Sequence, residues 1–182
     1  KFVPVSFDKS NPRGYIYTFD DGLLDHYKVA EILFEMNIKA IFFVPSSPIL
    51  NRDIVLSHKI QFIIAAKEEE IIVKELEKII QKNYDIDSKE INKYKKSKWA
   101  NNIWSDEMIF ITRILREFKT NKERKILCDE LFSKFVSKDE KDFANNFYLN
   151  FKQVKEISDM NHIIGGHGNK SDNLIFCSEN EI

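Results

Sequence analysis

The sequence predicts an α/β fold in which a parallel strand–helix–strand unit is interrupted by a large helical insertion. Three observations predict it. Two short runs rich in β-branched and aromatic residues, 14–19 and 39–44, flank an amphipathic helical segment at 23–36. No convincing strand pattern follows between residues 50 and 143. A third strand-like run, 162–165, returns near the end. Strand, helix and strand in that order imply a parallel pair joined by a right-handed crossover.

Each element has a local reason. Residues 14–19 read Gly-Tyr-Ile-Tyr-Thr-Phe and end at Asp20-Asp21-Gly22. The following helix carries Leu24, Tyr27, Ile32 and Leu33 at helical spacing, and Asn37 is a fair stop. Lys39-Ala-Ile-Phe-Phe-Val44 is a buried strand closed by Pro45. Helices are then expected at 54–66 and at 68–81, where Ile71, Ile72, Leu76, Ile79 and Ile80 form one side. Residues 83–102 are polar and Lys-rich, a loop with a short helix, and Lys93–Lys98 reads as a solvated face. Ser105 can cap a helix running to Phe118. Residues 122–136 are amphipathic through Ile126, Leu127, Leu131, Phe132 and Phe135. Asn150 can cap a helix over 151–160. The domain division expected is 1–49 with 144–182, and 50–143 as the insertion.

Composition bounds the function classes. The 182 residues include 43% hydrophobic residues and 15 Phe, enough for a buried core. The 28 basic and 29 acidic residues leave a net charge of −1, so no electrostatic footprint for nucleic acid is present. No apolar run reaches the roughly 18 residues needed to span a bilayer. Cys128 and Cys177 lie far apart and read as reduced thiols. The chain starts at Lys1 without a visible signal sequence, and 178–182 reads as the first turn of a helix. The expectation is a fragment at both ends, cytoplasmic as written, with the cell envelope open to it should a preceding segment carry a signal.

Two segments carry chemistry. In Thr18-Phe-Asp-Asp-Gly22, two carboxylates follow an apolar strand, where parallel α/β folds gather active groups. An Asx-type cap on the next helix explains the same residues equally well. In the run 163–174, His167 follows Gly165-Gly166, and glycines there give a ligand close backbone access. Neutral imidazole is a good Zn²⁺ ligand, although a lone loop histidine is more often an ordinary one.

Together these segments resemble the NodB-homology polysaccharide deacetylases, carbohydrate esterase family 4. Thr18–Gly22 matches the first motif of that family. The resemblance continues through Asp25-His-Tyr and Ile38–Pro45, and Ile163-Ile-Gly-Gly-His167 matches the run into the second motif, with Asn173-Leu174 as its tail. It covers roughly the first 50 and last 30 residues, and the helical middle resembles an insertion found in a subgroup associated with surface-polysaccharide biosynthesis. The resemblance implies a partial (β/α) barrel and a metal-dependent hydrolase removing N-acetyl or O-acetyl groups from a polysaccharide. Asp20 would be the catalytic base, and Asp21 and His167 would hold a divalent metal, zinc by preference. The partner implied is an acetylated amino-sugar polysaccharide.

Two departures shape the expectation. Gly168 replaces the usual Ser or Thr, and Ser171 stands where a second metal histidine belongs. Asp172 or Ser171 is then the further ligand candidate, with water completing the shell, and His26 and His58 are remoter ones. The family's later motifs, including its proton-donating histidine, have no match after His167, so activity is expected to be weak or absent in this polypeptide. The alternative is a catalytically inactive deacetylase-like module that binds glycan or protein. A third reading is a helical interaction domain attached to a small βαβ unit. A partial barrel leaves an open sheet edge, which a second copy of the chain could cover.

Overall fold

The computed structural model describes residues 15–84, 86, 88–95 and 104–169. These form a mixed α/β structure, mostly helical, with one three-stranded parallel sheet of order β1-β2-β3. The chain divides into two compact units, with changeovers at Ile54/Val55 and Asp139/Glu140. The segment 50–54 belongs with the strands because Arg52 Nη1 donates to the Leu149 carbonyl at 2.8 Å and the Ile54 N–H donates to Glu140 Oε1 at 3.1 Å.

The strand-bearing unit contains β1 (Tyr17–Phe19), α1 (Asp25–Glu35), β2 (Ala40–Val44), α2 (Ser46–Asn51), α8 (Glu140–Phe147), α9 (Phe151–Asp159) and β3 (Ile163–Gly166). Phe19 lies opposite Phe42 on β2, and Phe42 opposite Ile164 on β3. Side chains alternate across the sheet. Ala40 and Phe42 are fully buried on one face, where Phe19 stacks on Phe42 at 4.9 Å. On the other face Thr18 is exposed and Ile41, Phe43 and Ile163 are only half-buried among the described residues. Helix α1 ends where expected: Asn37 takes the left-handed φ of 55° that an asparagine tolerates. Asn150 caps α9 through a reciprocal pair with Gln153.

His162 locks this unit together. Its Nδ1 accepts the Ala40 N–H at 3.3 Å, which places the ring proton on Nε2, 2.9 Å from the Ala30 carbonyl. One buried imidazole thereby ties α1, β2 and the start of β3.

The helical unit contains α3 (Leu56–Ala66), α4 (Glu69–Asn83), α5 (Ser88–Lys95), α6 (Asp106–Glu117) and α7 (Asn121–Phe135). Its core is Ile63, Ile72, Leu76, Ile80, Ile111, Ile114, Leu127 and Leu131. Ser105 caps α6 by accepting the Met108 N–H, as its position predicts. Thr120 caps α7 through a capping box with Glu123.

Several expectations are corrected. Ile32, Ile71 and Ile126, which spacing assigns to apolar helix sides, are 44%, 47% and 37% exposed. Each adjoins another apolar residue, Leu33, Ile72 or Leu127. Successive helical positions diverge by about 100°, so only one of the two faces the core. Helices α2 and α8 were not expected, being short and rich in polar residues or proline. Lys93 is exposed, but Lys95 pairs with Glu77 at 3.1 Å and sits over the Phe110 ring, so the basic run is partly packed. Lys96 and Lys98 lie outside the described residues.

Cys128 is fully buried in α7 and unbridged. Burial pushes its thiol from an ordinary 9.0 up to about 12, the Asp129 charge adding to the rise and Lys59, Arg124 and Lys125 opposing it. The fold therefore prefers the neutral thiol. That contribution is complete below about pH 9 and is lost as pH rises toward 12. In a Cys177→Ser background, we expect Cys128 to react with a thiol reagent at neutral pH only as fast as the chain unfolds. Rapid labelling of the folded protein would contradict this. No helix among the described residues is long and apolar enough to cross a membrane.

Candidate metal centre

The acidic turn begins where β1 ends. Asp21 has φ 74° and Gly22 φ 61°, two consecutive left-handed residues that reverse the chain into α1. Aspartate tolerates this region better than most side chains. Glycine is required next, because a Cβ on Gly22 would also lie 3.1 Å from Val44 Cγ1. The turn is clamped from outside: the Leu149 N–H donates to the Gly22 carbonyl and the Leu24 N–H to the Phe147 carbonyl, both at 2.9 Å. The two bonds fix Gly22 and Leu24, the residues that follow the left-handed Asp21. No signal in residues 147–149 announces this clamp.

The second half comes from β3. The His167 N–H donates to the Val44 carbonyl at 3.1 Å, extending the β2–β3 ladder by one bond. The Gly168 and Asn169 carbonyls accept from the Ser46 and Ser47 N–H groups at 3.1 and 2.9 Å, and the Ser46 hydroxyl donates to Asn169 Oδ1. The loop beyond His167 is thus pinned to the start of α2. The Gly165 expectation needs revision. A Cβ there would meet the Phe43 ring at 2.6 Å, so this glycine makes room for Phe43 rather than for a ligand. Gly166 does have open space. The Phe43 ring in turn lies 6.5 Å from the His167 ring.

These two turns meet. His167 Nε2 lies 3.3 Å from Asp21 Oδ1, with the side chains 36% and 31% exposed. The separation is that of an ordinary imidazole–carboxylate contact. Two ligand atoms each about 2.0–2.1 Å from one tetrahedral cation also stand roughly 3.3 Å apart, and imidazole nitrogen and carboxylate oxygen are donors that zinc accepts. The spacing admits either arrangement.

Asp20 is exposed at the strand end. His26, on the first turn of α1, is half-buried, with Nδ1 shielded from water and without a hydrogen-bond partner. Burial lowers its pKa from the ordinary 6.5, while the charges of Asp21, Asp25 and Asp20 pull it upward. His58 is buried in α3 of the helical unit. Ser171 and Asp172 lie outside the described residues, and no cluster of three metal-binding side chains occurs among the described ones. No protein-family model, curated protein or solved structure matches the chain.

Proposed function

We propose that the acidic turn and His167 form the metal centre of a polysaccharide deacetylase of the NodB-homology type, built on a partial (β/α) barrel. The single observation that carries this reading is the 3.3 Å approach of Asp21 Oδ1 and His167 Nε2 at the C-terminal ends of parallel strands. The half-buried second face of the sheet suits a barrel interior. Asp21 and His167 would hold the cation, with Asp172, Ser171 or water completing its shell. Bound there, zinc supplies a Lewis acid for an acetyl carbonyl and lowers the pKa of a water. Asp20, exposed and next in sequence to Asp21, would serve as the general base toward that water. The substrate is an N- or O-acetylated sugar of a surface glycan.

A second reading has its own support. Gly168 and Ser171 depart from the family's second motif, leaving one imidazole in the pattern where two belong. A deacetylase-like module that binds glycan or protein without turnover would tolerate that loss.

Zinc affinity, measured by competition with a chromogenic chelator, tests the metal centre. Asp21→Asn and His167→Ala should each weaken binding by at least about tenfold, since even outer-shell changes have effects of that order. Equal affinity in wild type and His167→Ala would remove the metal-site reading.

A further inference from the structure

The helical unit holds a cavity of about 680 Å³ between α3, α4 and α6, within the size range of small-molecule sites. Ile60 and Ile64 of α3 and Met108 of α6 give it apolar walls. Trp104 lines it too and is 56% exposed, so much of an aromatic surface is available to a ligand. Thr112 also lines the cavity, and its hydroxyl is shielded from water with no hydrogen-bond partner. Shielded in this way, the hydroxyl is out of reach of a molecule in the open space, and Thr112 contributes wall rather than a hydrogen bond.

The remaining polar lining narrows the ligand. Arg116 lies one turn beyond Thr112, and Glu69 faces the same space with its carboxylate accepting the Ser105 hydroxyl. One cation and one anion cancel. An organic acid would set its carboxylate near Glu69, and a polyphosphate would meet a single positive side chain. Gln61 adds both a donor and an acceptor. An uncharged molecule with one apolar face and hydroxyl or amide groups around its rim satisfies every wall. A pyranose has that form: its C–H face packs on indole while its hydroxyls exchange bonds in both directions.

We infer that this cavity is a subsite for an uncharged, N-acetylated sugar unit, separate from the acidic turn. The choice of an N-acetyl sugar rests on the proposed deacetylase function; the presence of a sugar site rests on the cavity alone.

Calorimetric titration of the whole chain with an N-acetylglucosamine trisaccharide, and with the matching glucose trisaccharide, tests it. We expect binding of the acetylated sugar, weakened about tenfold by Trp104→Ala. Trp104 is exposed, so this variant should keep its helical circular dichroism. Absence of binding by a folded wild type would overturn the inference, as would wild-type affinity in Trp104→Ala. Binding lost in His167→Ala but kept in Trp104→Ala would move the glycan to the acidic turn, overturning this subsite while leaving the proposed function standing. Equal affinity for the glucose trisaccharide would overturn the N-acetyl assignment. Should zinc affinity ignore His167 while sugar binding still needs Trp104, the metal centre falls and the subsite stands.

Discussion

Asp129→Ala should destabilise the protein by about 3 kcal/mol in urea denaturation. Lys59 is the reason. Its side chain is 3% exposed, and Nζ donates to Asp129 Oδ1 at 2.5 Å, while Lys125 takes Oδ2 at 2.5 Å. Removing the carboxylate leaves an ammonium in the helical core deprived of its nearest counter-charge. The figure sits at the low end of the range for broken buried pairs because Asp129 is 36% exposed and water reaches it. The double variant Lys59→Met/Asp129→Leu discriminates the cause. It should lie within about 1 kcal/mol of wild type, because replacing a buried pair by apolar groups is often neutral. A loss under about 0.5 kcal/mol in Asp129→Ala would reduce the contact to an ordinary surface ion pair.

His162→Leu should destabilise by about 2–4 kcal/mol, through an Ala40 N–H left without its acceptor and an Ala30 carbonyl without its ring donor. Ala30 and Ala40 are both fully buried, so water cannot substitute. Leucine keeps comparable bulk, which isolates the polar term from a cavity. His162→Gln should recover part of the loss, because an amide can accept from one group and donate to the other. Equal stability of the leucine variant and wild type would show that this ring does not tie α1 to β2.

Much of this architecture is legible in local chemistry. Ser105 and Asn150 announce helix starts because their side chains satisfy free N–H groups there. The Lys39–Val44 run announces a strand because Ile41, Phe42, Phe43 and Val44 are β-branched or aromatic. The exposed Ile32, Ile71 and Ile126 were misplaced for a physical reason: composition marks a residue as apolar, but rotation about the helix decides which neighbour is buried. Helix α8 is easily missed because it is only 8 residues long and buries a single side chain, Ala144. At the candidate site, Asp21 and His167 were readable as residue types at strand ends. Their mutual distance was not, because it depends on the Val44–His167 bond and on a clamp from 147–149 that couples residues over a hundred positions apart. The cavity beside Trp104 left no trace in spacing, since helices remote in sequence build its walls.

The bond between the Ile54 N–H and Glu140 Oε1 brings together the two points where the chain departs from the strand-bearing unit and rejoins it. Everything between them is an excursion whose exit and re-entry already touch. Under that arrangement the length of the excursion is nearly free to drift in evolution, since doubling a loop anchored at fixed ends adds only about 0.6 kcal/mol of closure entropy. Lineages could lengthen, trim or swap those helices while the aspartate–histidine geometry stayed put.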